Sequence, residues 1–230
     1  MNRVVRVARV LLTTWKSTLA WPVAALGPSW LMNLLIIVLM GDRIPSGHRN
    51  MGGVLSIYLG QLLSVMLSMP QTFTFAVGLN VGRRTFFLAQ SLVIVGQSVL
   101  YGLLLFVLNV IEQASNGWGV SMGYFSGFWT VAGYSPVNIV IYTVPMILTS
   151  YLGLLFGVIF KRWGTSGVLW SMLGTVMAIT TAVLVSFGGW PAIGSWLTGQ
   201  TPLALAAGWT LLPLVAFGAG GYAILRRAVP

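Results

Sequence analysis

The sequence predicts an all-α membrane protein with six transmembrane helices, an N-terminal amphipathic interfacial helix and an outer re-entrant segment between the fifth and sixth spans. Three observations carry that expectation. Of 230 residues, 57% are hydrophobic and only 6% are charged, whereas about 25% charge is usual in a soluble domain. Apolar runs long enough to cross a hydrocarbon core, about 20 residues each, alternate with short polar segments. The twelve Lys and Arg residues also divide unevenly between alternate segments. Arg43 and Arg49 fall on one side, and Arg3, Arg6, Arg9, Lys16, Arg83, Arg84, Lys161, Arg162, Arg226 and Arg227 on the other. The positive-inside rule puts the richer side in the cytoplasm, so both termini are expected there, with an even number of spans in the cell membrane.

The elements follow in order. Residues 1–17 are expected as a cytoplasmic amphipathic helix. At 100° per residue, Asn2, Arg3, Arg6, Arg9, Thr13 and Lys16 share one side, and Val4, Val7, Ala8, Leu11 and Trp15 the other. Residues 18–230 are then a single six-helix transmembrane domain. Trp21–Met40 is the first span, with Pro22 suited to its start and Pro28 to a kink. A polar outer loop, 41–50, holds Asp42, Arg43, His48 and Arg49. His48 is the one histidine and has no partners for a metal. Met51–Gly78 is the second span and Phe86–Ile111 the third. Residues 112–136 form an outer segment in which Trp118, Tyr124, Phe125, Phe128, Trp129 and Tyr134 suit an interfacial aromatic belt. Val137–Phe160, Val168–Phe187 and Leu203–Leu225 complete the six. Between the last two, 186–202 is apolar but too short and too broken by Gly and Pro to cross.

Two stretches invite a functional reading. The first is the turn around Gly78–Leu92 (GLNVGRRTFFLAQSL), where Arg83 and Arg84 stand between two apolar runs. A charge at mid-bilayer costs at least about 2.5–3.5 kcal/mol, so the pair marks a short cytoplasmic turn. Asn80 and Gly82 supply helix-stop chemistry, and Thr85 suits a cap for the next helix. Such a turn either anchors topology or docks a soluble partner. The second is a polar stripe on the second span, Gln61, Ser64, Ser68, Gln71 and Thr72, within about a third of the helix circumference. It fits interhelical hydrogen bonding and a transport path equally well.

Much chemistry is excluded. The chain has no cysteine, so thiol catalysis and cysteine metal sites are absent. No phosphate-binding G-x-x-x-x-G-K-[ST] loop occurs. Gly164–Gly167 (GTSG) lacks a base beside its serine. The +10 net charge is spread between apolar runs as topology, not gathered as a nucleic-acid face. No enzyme activity, metal or cofactor is expected on this chain, and transport against a gradient needs energy from another chain.

With the basic N-terminal helix and six spans in place, the turn G-x-x-R-R-x-F-F resembles that of the membrane subunit of type-2 ATP-binding-cassette exporters. Gly78, Gly82, Arg83, Arg84, Phe86 and Phe87 carry the likeness, with the broken outer hairpin and the ending GYAILRRA (Gly221–Ala228). The resemblance implies an ATPase-coupling turn at Gly82, Arg83, Arg84, Phe86 and Phe87. It implies ATP and Mg2+ bound on separate ATPase subunits, and pairing with a second membrane subunit, identical or related. It further implies a substrate path on the second and fifth spans, here Gln61, Ser64, Ser68, Gln71, Ser171 and Thr175. The expected function is export of an amphipathic or apolar compound: a drug, a peptide antibiotic or a lipid-like molecule. A non-transporting membrane scaffold or assembly factor and an ATP-independent facilitative transporter are the alternatives.

Overall fold

The computed structural model describes residues 3–11, 15–40, 52–126, 130–131, 133–185, 194–196 and 199–227. Among these the regular elements are helical: α1 (Arg3–Leu11), α2 (Trp15–Met40), α3 (Leu55–Gly78), α4 (Arg83–Ala114), α5 (Val137–Val185) and α6 (Leu211–Arg227). Five helical stretches are long and apolar enough to cross a membrane, namely Leu19–Met40, Gly52–Gly78, Arg83–Ala114, Val137–Met177 and Ala204–Arg226. The chain is therefore a multi-pass helical membrane protein by length and composition.

The fourth of these stretches holds what the sequence divides into two spans. α5 has 49 residues; run straight at 1.5 Å per residue it would reach about 70 Å, over twice the roughly 30 Å hydrocarbon core. Its non-helical residue is Gly164, at φ 67° and ψ −161°. That region is closed to a residue bearing a Cβ. Beyond it, Val168 packs against Phe156 and Ile159, so the chain turns back at Gly164. The first limb is 137–163 and the second 165–185.

Helices α3 and α5 meet through small residues. A Cβ on Gly153 would land on the carbonyl oxygen of Leu62, and one on Gly157 would come within 2.9 Å of that of Met66. The glycines stand four apart, so they share one face, and their lack of side chains lets two backbones approach. α2 approaches α3 the same way, since a Cβ on Gly60 would lie 2.9 Å from Pro22 Cα. Here one expectation changes. The helix α2 already runs from Trp15, so Pro22 lies inside it instead of opening it; residues 12–14, over which the expected N-terminal helix would continue, lie outside the described residues. The Tyr101 hydroxyl donates to the Leu19 carbonyl at 3.2 Å, a tertiary bond close to the turn that Pro22 interrupts.

One core cluster joins Leu26, Ile57, Tyr101, Leu105, Tyr142 and Met146. Another joins Met69, Phe73, Ala76, Phe86, Val158 and Leu225 at the opposite end of the bundle. α1 lies on α4 with Ala8 buried against Ala89 and Val93, while Arg6 and Arg9 are exposed. In the part of the second limb whose burial is described, Leu169, Trp170, Leu173, Val176 and Met177 are all exposed.

The segment after α4 departs most from expectation. Tyr124 and Phe125, read as part of an interfacial belt, are fully buried. The cause is Glu112, itself buried, whose carboxylate accepts backbone N–H bonds from Tyr124 at 2.9 Å, Phe125 at 3.0 Å and Ser126 at 2.9 Å. Ser126 Oγ and Trp118 Nε1 donate to it as well. Held this way, the chain folds inward over the bundle. The Tyr124 hydroxyl donates to Ser29 Oγ and the Tyr142 hydroxyl to the Phe125 carbonyl. Tyr134 remains exposed. Phe128, Trp129, the loop with Asp42, Arg43, His48 and Arg49, and most of the expected re-entrant segment lie outside the described residues.

Candidate coupling turn and substrate path

The turn between α3 and α4 is short and stiff. Asn80 stands at φ 54°, a left-handed conformation that asparagine tolerates better than most residues. The N–H groups of Leu79 and Val81 both bond back to the Ala76 carbonyl. Gly82 is extended and forms the N-cap of α4 without a side-chain cap. Thr85 therefore lies within the first turn of the helix instead of capping it, and the arginine pair begins the helix.

That position sets an electrostatic problem. Cations at a helix N-terminus oppose the helix dipole. Arg83 resolves it by reaching the other kind of terminus: its Nη1 donates to the carbonyl of Arg226 at 2.6 Å, in the last turn of α6. Carbonyls there have no intrahelical partner and favour positive charge. Phe86 is buried and meets Phe73 edge-on at 5.4 Å. Phe87 lies 5.2 Å from Tyr222 and 6.5 Å from Tyr151. Of the five residues assigned to the turn, Gly82 and Arg84 are exposed, Arg83 is half-buried, and the two phenylalanines face the bundle. The apex is Leu79, 55% exposed, beside the exposed Asn80. Sequence reasoning passed over Leu79; its signal was an apolar residue flanked by Gly78 and Asn80.

The same end gathers the other described cations. α1 brings Arg6 beside Leu79 and Val81, around a cavity of about 220 Å³. Lys161 Nζ donates to Thr74 Oγ1 at 3.1 Å. Arg162 stacks over the Trp163 ring at 4.5 Å.

The polar stripe is divided by the fold. Gln61 is wholly buried; its Nε2 donates to Ser150 Oγ at 3.1 Å and, at a longer 3.4 Å, to Gln97 Oε1. The Ser150 hydroxyl itself donates a hydrogen bond to the Met146 carbonyl. Gln61 Oε1 has no hydrogen-bond partner. Ser64 is buried on the same face. One turn and more further on, Ser68 is half-buried and bonds its own helix at Val65, and Gln71 is exposed. Gln71 lines an open groove of about 730 Å³ with Pro70, Thr74, Phe160, Lys161 and Gly164. On the second limb of α5, Ser171 is half-buried and Thr175 exposed, each bonding back along the helix. Gln61 and Ser64 are thus inside the bundle, while Gln71 and Thr175 reach its surface. Ser150, the buried partner of Gln61, was not singled out from the sequence. Among the described residues no group of three or more His, Asp or Glu side chains could hold a metal.

Comparison with known proteins gave no match: no family model fits the chain, and no curated protein and no solved structure is similar to it.

Proposed function

We propose that this chain is the membrane-spanning permease subunit of an ATP-driven exporter of the type-2 ATP-binding-cassette kind that its turn resembles. It moves an amphipathic or apolar compound out of the cell. The observation that supports this best is the construction of the α3–α4 turn. An exposed apolar apex, Leu79, stands beside Asn80 and Arg84 on a floor tied to α6 through Arg83 and to the core through Phe86. A force on such an apex reaches three helices at once. In this reading separate ATPase subunits carrying ATP and Mg2+ dock on the apex from the cytoplasm. A second membrane subunit covers the second limb of α5.

Gly164 then separates a fourth from a fifth span, giving six with both termini in the cytoplasm. The substrate path runs along Gln71, Ser171 and Thr175, where polar atoms reach the surface, while Gln61 and Ser64 join helices inside the subunit. Apolar walls with a few placed polar groups suit an amphiphile.

The test is co-purification of an ATP-binding-cassette ATPase with the tagged chain, followed by reconstitution. Leu79→Glu combined with Arg84→Glu should leave insertion intact and abolish substrate-stimulated ATP hydrolysis. Normal stimulated turnover in that variant ends the coupling reading. The cysteine-free background also allows a topology test. Asn116→Cys should react with an impermeant thiol reagent added outside, and Thr165→Cys should not. Labelling of Thr165→Cys from outside removes the six-span arrangement.

A further inference from the structure

A second groove lies between α4, the first limb of α5 and α6, away from Gln71 and the turn's apex. Its volume is about 700 Å³, and its walls include Phe87, Val95, Ile147, Leu214, Val215 and Gly218. Arg84 and Tyr222 stand at one end. Gly218 and Ala219 keep α6 narrow there, so the groove stays open: a Cβ on Gly218 would meet only the Tyr151 ring, at 3.6 Å.

Two features say what fits. The first is length. From Arg84 to Val95 the groove follows α4 for about 16 Å at 1.5 Å per residue, close to the hydrocarbon depth of one leaflet, about half of 30 Å. The second is charge. Arg84 is exposed, and the chain has only two acidic side chains. Glu112 is consumed by backbone donors at the other end of the bundle, and Asp42 lies outside the described residues. No described carboxylate answers this guanidinium. A groove one leaflet deep, apolar along its walls and cationic at one end matches a molecule with an anionic head and an alkyl tail.

We infer that this groove binds one anionic phospholipid of the surrounding bilayer, its phosphate on Arg84 and an acyl chain along Val95, Ile147 and Val215. A guanidinium offers a phosphate two parallel hydrogen bonds, and basic pockets between membrane helices select such headgroups. The site shares Arg84 with the proposed coupling turn but needs neither ATPase nor substrate, so lipid retention by the purified chain tests it separately from the exporter reading.

Native mass spectrometry of the purified chain, equilibrated with equal amounts of dioleoyl-phosphatidylglycerol and dioleoyl-phosphatidylcholine, tests it. The wild type should retain the anionic lipid about ten-fold over the zwitterionic one. Arg84→Ala should bring the two level. Gly218→Leu, with Ala219→Leu as a second groove-filling variant, should remove most of both. Arg162→Ala, a change at an arginine outside the groove, should leave retention as in the wild type. Equal retention of the two lipids by the wild type overturns the site. So does equal loss in Arg162→Ala, unchanged retention in both groove-filling variants, or full displacement by glycerol phosphate, which has no chain to lie in the groove.

Discussion

The two ends of the bundle solve opposite electrostatic problems by opposite means. At one end a buried carboxylate, Glu112, is surrounded by backbone N–H groups of a segment that folds over it. At the other a half-buried guanidinium, Arg83, reaches across to the carbonyl of Arg226. The first arrangement is buried, with Glu112, Tyr124 and Phe125 all out of reach of solvent. The second is open, with Leu79, Asn80 and Arg84 at the surface and three grooves or cavities close by. In a low dielectric, an unmade hydrogen bond costs far more than the same bond beside water. The Glu112 end therefore acts as the fixed end of the bundle, and the Arg83 end is where movement costs least.

The strongest way to break that contrast is Glu112→Ala. It strands two buried backbone donors, of Tyr124 and Phe125, and the half-buried one of Ser126; at about 1–3 kcal/mol for each buried donor, unfolding in detergent should be easier by about 4 kcal/mol or more. Glu112→Gln has one acceptor oxygen and turns an NH2 group towards N–H donors, and should fall between the two. A melting temperature in Glu112→Ala equal to that of Arg83→Ala would mean the ends are equally labile.

Next in size is Gly157→Leu, in the seam that joins the two ends. Its side chain must displace the α3 backbone at Met66, and overpacking of this kind costs about 1–3 kcal/mol. Thermal unfolding should report it, with Gly220→Leu, whose Cβ would lie 3.9 Å from Leu155, as the milder comparison.

Part of this was legible in the sequence, and the reason follows the range of the interaction. The α3–α4 turn was readable because Asn80 and Gly82 act locally, on their own dihedrals. The return of the chain after Lys161 and Arg162 was readable from charge, and Gly164 is the residue that permits it. The seam at Gly153 and Gly157 carried a local signal too, two glycines four apart, that went unread. What was not legible depends on distant partners. Glu112 is the first residue of the outer segment 112–136, but nothing local says that residues 124–126 return to it. Arg83 and Arg226 are 143 residues apart. The start of α4 falls at Arg83, ahead of the expected Thr85 cap, because the backbone of Gly82 forms the N-cap and no side chain caps the helix. The stripe was visible as a period, but a period cannot tell a buried face from a path: Ser150 and the first limb of α5 decide that for Gln61.

Gln61→Leu should be a smaller loss, near the lower end of the roughly 0.6–2 kcal/mol found for polar contacts between membrane helices. Ser150 keeps its bond to Met146, and the substitution also removes the unpartnered Gln61 Oε1. Reconstituted transport should barely change, whereas Gln71→Ala, at the open groove, should alter rate or substrate preference. The reverse ordering would return the path to the buried part of the stripe.

The smallest effect on stability is expected from Arg83→Ala, and it is the most informative about movement. The bond to Arg226 is made at the exposed edge of the bundle. A cation at a helix C-terminus contributes about 0.3–1 kcal/mol under such conditions, which for a chain of this size is a melting shift of a few degrees at most. Yet this bond ties the turn to α6. If force on Leu79 reaches α6 through it, Arg83→Ala should bind its ATPase normally and lose most of the substrate-stimulated hydrolysis. Leu79→Ala should instead weaken binding itself. Arg83→Lys keeps the charge but not the planar, directional fork of the guanidinium, so it should restore stability while restoring coupling only in part. Full stimulated hydrolysis in Arg83→Ala would show that α6 moves without this tie, and would leave Phe87 against Tyr222 as the contact that carries it.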